Sequence, residues 1–104
     1  MLRHRCHFYD IFEISGDLYL VVQADHLLNL NTVVLLPVLP NDELPPLSKL
    51  TVDTKIASSA FRIRTHMPLT VEANRIRHLD PVHQLSAEEG HKVMDGLYAI
   101  LWGL

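Results

Sequence analysis

Histidine, cysteine, arginine and carboxylate spacing sets which chemistries this chain can support. Seven histidines accompany a single cysteine. His4, Cys6 and His7 are close in sequence, yet on a strand the neighbours Cys6 and His7 face opposite sides. His78, His83 and His91 have no second ligand at a spacing that a helix or tight loop closes. There is no His-Glu-x-x-His and no paired-cysteine motif. Surface histidines account for this set better than a metal site, so no metal and no other cofactor is expected. Nothing orients Cys6 against a histidine as a nucleophile. Glu88 and Glu89 follow Ser86 at the spacing of a helix capping box, which explains them better than acid–base catalysis does.

Arginine placement is less even. Six of the nine basic residues occur as Arg3/Arg5, Arg62/Arg64 and Arg75/Arg77. At two-residue spacing each pair shares one face of a strand. Folding could gather them into a basic patch for RNA phosphate or an acidic peptide. The simpler reading is a solvated strand face with cross-strand ion pairs.

These residues need elements to hold them, and the first three-quarters of the chain reads as strands. Residues 4–13 alternate as one long strand. Ser15-Gly16-Asp17 is a turn, and Leu18–Val22 pairs back as a hairpin whose weak alternation predicts burial on both faces. Thr32–Leu36 is a third strand, ended by Pro37, which has no backbone N–H for the ladder. Residues 38–49, with Pro40, Pro45 and Pro46, read as a loop excursion. Short strands resume near 50–52, 61–65 and 72–76. From Ser86 the period changes: Val93, Met94, Leu97, Tyr98, Ile100 and Leu101 recur at helical spacing. Gly90 and Gly96 weaken that helix by roughly 0.5–1 kcal/mol each, so packing has to hold it. The pattern is mainly β: a small barrel or sandwich with one packed C-terminal helix.

Composition bounds the rest. The chain has 104 residues, 48% hydrophobic and 20% charged, with net charge −3, which suits one globular domain over 1–104 and excludes a disordered chain. Its unbroken apolar runs are far shorter than a membrane-spanning helix. No leader pattern opens it, and a lone cysteine suits a reducing compartment, so a cytoplasmic location is expected. The slight negative charge argues against bulk attraction to nucleic acid.

The last four residues, Leu101-Trp102-Gly103-Leu104, place the one tryptophan and an aliphatic where a helix should fray. They can fold back into the core or a dimer seam, the simpler account, or be presented to another protein as a hot spot. That ending resembles the CcdB family of toxins from bacterial toxin–antitoxin pairs, whose helix closes on Trp-Gly and a branched aliphatic. Leu18-Tyr19-Leu20-Val21-Val22-Gln23-Ala24-Asp25 is similar to the family's strand running into a Val-Gln-Ser-Asp turn. Val33-Val34-Leu35-Leu36-Pro37 resembles its next strand, which ends in Ile-Pro. Weaker matches are Phe61-Arg62 with Thr65, and Leu85-Ser86.

The resemblance implies a dimeric, SH3-like β-barrel with a C-terminal helix. It also implies a protein that catalyses nothing and poisons DNA gyrase by trapping the enzyme on cleaved DNA. The gyrase A-subunit contacts carried over are Trp102, Gly103 and Leu104, supported by Leu101, Tyr98, His26 and Leu27. A cognate CcdA-like antitoxin would be a partner, and no direct nucleic-acid or membrane binding is expected. The chain departs from the family at His26, where an aliphatic is usual, at Tyr98, where a polar residue is, and at Leu101, where phenylalanine is. The alternative on the same barrel is a MazF-like endoribonuclease toxin, in which the arginine pairs bind RNA and Arg and Thr residues help cleavage. A relative that has lost gyrase activity and serves only as an interaction module is a third reading.

Overall fold

Two tight turns, each with both central residues in the left-handed region, shape most of the sheet. The computed structural model describes residues 9–23, 31–41 and 50–102, with the helix course alone given for Leu101 and Trp102. Strand β1 (Asp10–Ile14) turns through Ser15 (φ 54°) and Gly16 (φ 89°) into β2 (Asp17–Val21), with Ile14 opposite Asp17. Strand β4 (Thr51–Ile56) turns through Ala57 (φ 52°) and Ser58 (φ 71°) into β5 (Ser59–Arg64), with Ile56 opposite Ser59. Two positive-φ residues give a turn whose twist matches that of paired strands. The first hairpin is as the sequence predicts. The long strand over residues 4–13 is not: Tyr9 sits at φ 77°, so regular pairing starts at Asp10, and residues 1–8 lie outside the described residues.

Strand β3 (Thr32–Pro40) is the centre of the sheet. One edge pairs with β2, and the other pairs with β6 (Leu69–Glu72) through Thr32–Leu35 and with β5 through Val38–Pro40. The expected stop at Pro37 is corrected by this arrangement. Pro37 falls in the gap between the β6 and β5 partners, where a residue without an N–H is tolerated. Among the described residues the antiparallel order is β4-β5-β3-β2-β1-β7, where β7 is the short His83–Gln84 and β6 lies off that path on β3. The sheet is a curled half-barrel carrying one C-terminal helix, the mainly β architecture expected from the sequence.

Both faces of the curled sheet are covered. Leu20 and Val21 are adjacent and both fully buried, as weak alternation in that strand predicts. Ile11, Leu20, Leu36, Val52 and Ile63 form one core with Leu85 and Val93. Phe12, Val21, Val33, Leu35 and Ile76 form the second, flanked by Leu69, Val71 and Leu79. Each such side chain contributes roughly 1.5–3 kcal/mol by leaving water. Of the segment expected as a strand over 72–76, Glu72 ends β6 and Ala73–Arg75 is a single 3-10 turn, which buries Ala73 and brings Ile76 into this second core.

Helix α1 (Ala87–Trp102) begins as the capping box specifies. The Glu89 N–H donates to Ser86 Oγ at 3.1 Å, and the Ser86 N–H donates to Glu89 Oε1 at 3.1 Å. Val93 is fully buried and Leu97 packs beside it. Gly90 is more than a weak point in the helix, because the Tyr9 ring lies where its side chain would be. A Cβ on Gly90 would come within 2.8 Å of Tyr9 Cδ2, and closer still to Cε2 and Cζ. The left-handed Tyr9 is pinned by its N–H to the Val21 carbonyl and by its own carbonyl to the Leu85 N–H, both at 3.0 Å. Among the described residues no helix is long and apolar enough to cross a membrane.

Candidate functional site

Strand β4 leaves Thr54 buried and its neighbours Asp53 and Lys55 exposed, and α1 starts beside it. The result is a groove of about 640 Å³ lined by Asn41, Asp53, Thr54, Lys55, Ala60, His83, Gln84, Ser86 and Glu89. That volume is in the range of ordinary ligand sites. Its floor is set by Glu89, whose two oxygens have separate duties. Oε1 serves the capping box through the Ser86 N–H and the Ser86 hydroxyl. Oε2 accepts the Thr54 hydroxyl at 2.8 Å, tying helix to sheet.

Those contacts fix the charge as well as the position of Glu89. Partial burial works to raise its pKa. Hydrogen bonds from Thr54 and Ser86, with positive charge on nearby His83, outweigh that and hold the carboxyl below its ordinary value. Glu89 is therefore a carboxylate at neutral pH. His83 is half-buried on β7, opposite Ile11, and β7 is held to β1 by the Gln84 side-chain amide donating to Asp10 Oδ1 at 3.0 Å. Asp53 is neutralised from behind: Arg62 Nε lies 2.8 Å from its Oδ1, while Arg62 Nη1 donates to the Asn41 carbonyl at 2.9 Å. Lys55 remains as an exposed cation at the rim. The set comprises an imidazole, a fixed carboxylate, a buried hydroxyl and an ammonium, which suits proton transfer beside an anionic substrate.

The arginine patch does not form as the spacing suggests. Arg62 and Arg64 do share one strand face, but that face is buried, with Arg62 9% and Arg64 5% exposed. Arg62 is used on Asp53 and Asn41, while among the described residues the Arg64 guanidinium reaches only Met67 Sδ at 3.8 Å and its Nε has no hydrogen-bond partner. Arg75 ends the 3-10 turn and Arg77 follows it, so this pair does not share a strand. Arg3 and Arg5 lie outside the described residues. Among the described residues no cluster of three potential metal ligands occurs.

The contacts expected at the chain end are spread over α1 and beyond. Tyr98 is 54% exposed and Ile100 40%, while Leu101 and Trp102 form the last turn of the helix. Gly103, Leu104, His26 and Leu27 lie outside the described residues. Sequence reasoning found Glu89 as a cap but not as part of a groove, because its bond to Thr54 joins residues 35 positions apart. His83, three residues before the cap, reads from the sequence only as a surface histidine; its place beside a helix start is the available signal.

No protein-family model matches the chain, and no curated protein matches it. Its fold is shared by solved structures described as endoribonucleases, one of them in complex with its cognate antitoxin, and by others described as toxins. An endoribonuclease from Mycobacterial species superposes with TM-score 0.79 over 100% of this chain and 97% of its own, at 11% identity. An endoribonuclease in complex with its cognate antitoxin, also from Mycobacterial species, gives 0.74 over 98% and 97%, at 12% identity. MazE-MazF from Deinococcus radiodurans gives 0.72 over 92% and 95%, at 14% identity. At these identities the likeness establishes the fold.

Two expectations are corrected by these structures. The resemblance to the CcdB family is not upheld, since the solved structures that share the fold are MazF-type toxins. Short matches such as Val33–Pro37 are runs of apolar strand residues with little in them specific to one family, and here the strand runs on through Pro37 to Pro40. The expectation of a protein without catalytic activity, and with it the gyrase poison, is overturned as well: the structural neighbours include enzymes, the endoribonucleases.

Proposed function

We propose that this chain is an endoribonuclease toxin, the enzymatic half of a toxin–antitoxin pair, with single-stranded RNA held in the groove between β4 and the start of α1. The observation that carries the reading is a fold shared over the whole chain with endoribonucleases, one of them bound to its antitoxin. The groove supports it by offering an imidazole, a hydroxyl and an ammonium in one open site. Residues 1–104 act as one toxin domain, paired with a second copy and working in the cytoplasm. Because net charge is −3, RNA is held by local contacts and not by long-range attraction. The antitoxin is the protein partner, and the exposed side chains of Tyr98 and Ile100 on α1 are assigned to it.

The test is to incubate purified protein with a single-stranded RNA, and in a second tube with gyrase and supercoiled plasmid. Cut RNA and intact plasmid are expected. Intact RNA beside plasmid linearised on denaturation overturns the proposal.

A further inference from the structure

Among the described residues the groove holds one imidazole, that of His83, and its surroundings are already ordered. Imidazole is the group suited to taking and returning a proton between about pH 5 and 8. His83 lines the groove from β7, and Glu89 lines it from α1 with both oxygens engaged by Thr54 and Ser86. Among the described residues the remaining charged groups at this site are Asp53 and Lys55 from β4 and Arg62 from β5. Asp53 and Arg62 neutralise each other at 2.8 Å, so a phosphate entering the groove meets Lys55 and His83 as the groups free to respond. Glu89 cannot turn toward the substrate without giving up its capping bonds.

We propose that His83 is the catalytic base of this groove, with the Glu89 carboxylate as a fixed negative charge lining the same groove and Lys55 as the cation that receives the phosphate. This rests on the ribonuclease reading above and assigns its chemistry. His83 accepts the proton of a ribose 2′-hydroxyl, and the 2′-oxygen forms its bond to phosphorus. The bond from phosphorus to the 5′-oxygen breaks, and that oxygen takes a proton from water. The hydroxide so formed is neutralised by the His83 imidazolium, which restores the enzyme. The products are a 2′,3′-cyclic phosphate and a 5′-hydroxyl, and a strand without 2′-hydroxyls is not cut.

The experiment compares wild-type protein with His83→Gln, Glu89→Gln and, as a control outside the groove, His78→Gln, each checked for folding by circular dichroism. Single-turnover cleavage of an RNA oligonucleotide is measured from pH 5 to 8, with its 2′-deoxy counterpart in parallel. The expected result is a rate that climbs with pH in wild type and His78→Gln. His83→Gln falls about a hundredfold or more with a flat profile, and Glu89→Gln keeps a limb displaced along the pH axis. Wild-type cleavage with an undiminished, still pH-dependent His83→Gln overturns this assignment and leaves the ribonuclease reading standing. A wild-type protein that cuts no RNA overturns that reading, and this assignment with it. Products ending in an open 3′-phosphate from the first time point, or cleavage of the 2′-deoxy strand, also overturn the proposed step.

Discussion

Replacing Gly90 with alanine sets two calculable effects against each other. On an open helix Gly90→Ala stabilises by about 0.8–1 kcal/mol, because alanine loses less backbone freedom than glycine on folding. Here the added methyl meets the Tyr9 ring, coming within 2.8 Å of Cδ2 and nearer to Cε2 and Cζ. Carbon atoms do not approach so closely, so the ring or the helix has to move. The ring has two torsions, and its backbone is held on both sides, by Val21 and Leu85. It can leave only by abandoning its packing on α1. Overpacking of this kind costs about 1–3 kcal/mol. With loss of the Tyr9 contact added and the helix gain subtracted, the net expectation is a destabilisation of about 1–2 kcal/mol. For a chain of this size that lowers Tm by roughly 5–15 °C. Chemical denaturation of four proteins tests it: wild type, Gly90→Ala, Tyr9→Gly and the double variant. Tyr9→Gly removes the ring and suits the left-handed backbone at φ 77°, so in that background Gly90→Ala should turn stabilising. An equal penalty in both backgrounds, or a stabilised single variant, would refute the reasoning.

Two further predictions concern the sheet and its tie to the helix. Thr54→Val keeps the shape of a buried side chain but removes the hydroxyl that donates to Glu89. A cost of about 1 kcal/mol is expected, at the low end for a bond to a charged group because the carboxylate is partly solvated. Glu89 is held below its ordinary value of 4.5. Its contribution is therefore complete above that value and is lost as pH falls through the lower folded value. The gap between wild type and Thr54→Val, followed by urea titration, should narrow in acid; a gap constant from neutral pH down to pH 3 speaks against the coupling. Ser58→Gly relieves a side chain held at φ 71° in the second hairpin turn. A stabilisation of roughly 0.5–1 kcal/mol is expected, read as a raised Tm.

Much of the local structure was legible because it depends on neighbours in sequence. The Ser15-Gly16 turn, the two-faced burial of Leu20 and Val21, and the Ser86–Glu89 cap all rest on interactions a few residues long. What the sequence hid was decided across the fold. Pro37 reads as a strand terminator until β5 and β6 are seen to leave a gap at that point. Arg62 and Arg64 read as a solvated pair, and alternation does place them on one face. Only the curl of the sheet reveals that this face is interior, with Asp53 and the Asn41 carbonyl waiting for Arg62. The 3-10 turn at Ala73–Arg75 carries residues that alternate like a strand, yet it is held by the Ala73 N–H bonding to the Asn31 carbonyl at 2.7 Å. The groove was the least legible part, because its members come from β4, β5, β7 and α1 and share no spacing. The choice between the two family resemblances was equally beyond short motifs, since apolar strands and a greasy helix end carry little that is specific to one family.

The place of β3 has a kinetic consequence. The β1–β2 and β4–β5 hairpins close through two-residue turns and can zip locally, on the order of microseconds. Neither hairpin bonds directly to the other; each meets β3, and so does β6 from much later in the chain. The slow event in folding is thus the docking of preformed ribbons onto one shared strand. Until that happens β3 presents two open, strongly apolar edges from Val33 to Leu39. A newly made chain held in that state is most exposed to pairing with another copy of itself, and the nine residues of β3 are the stretch on which such misassembly would begin.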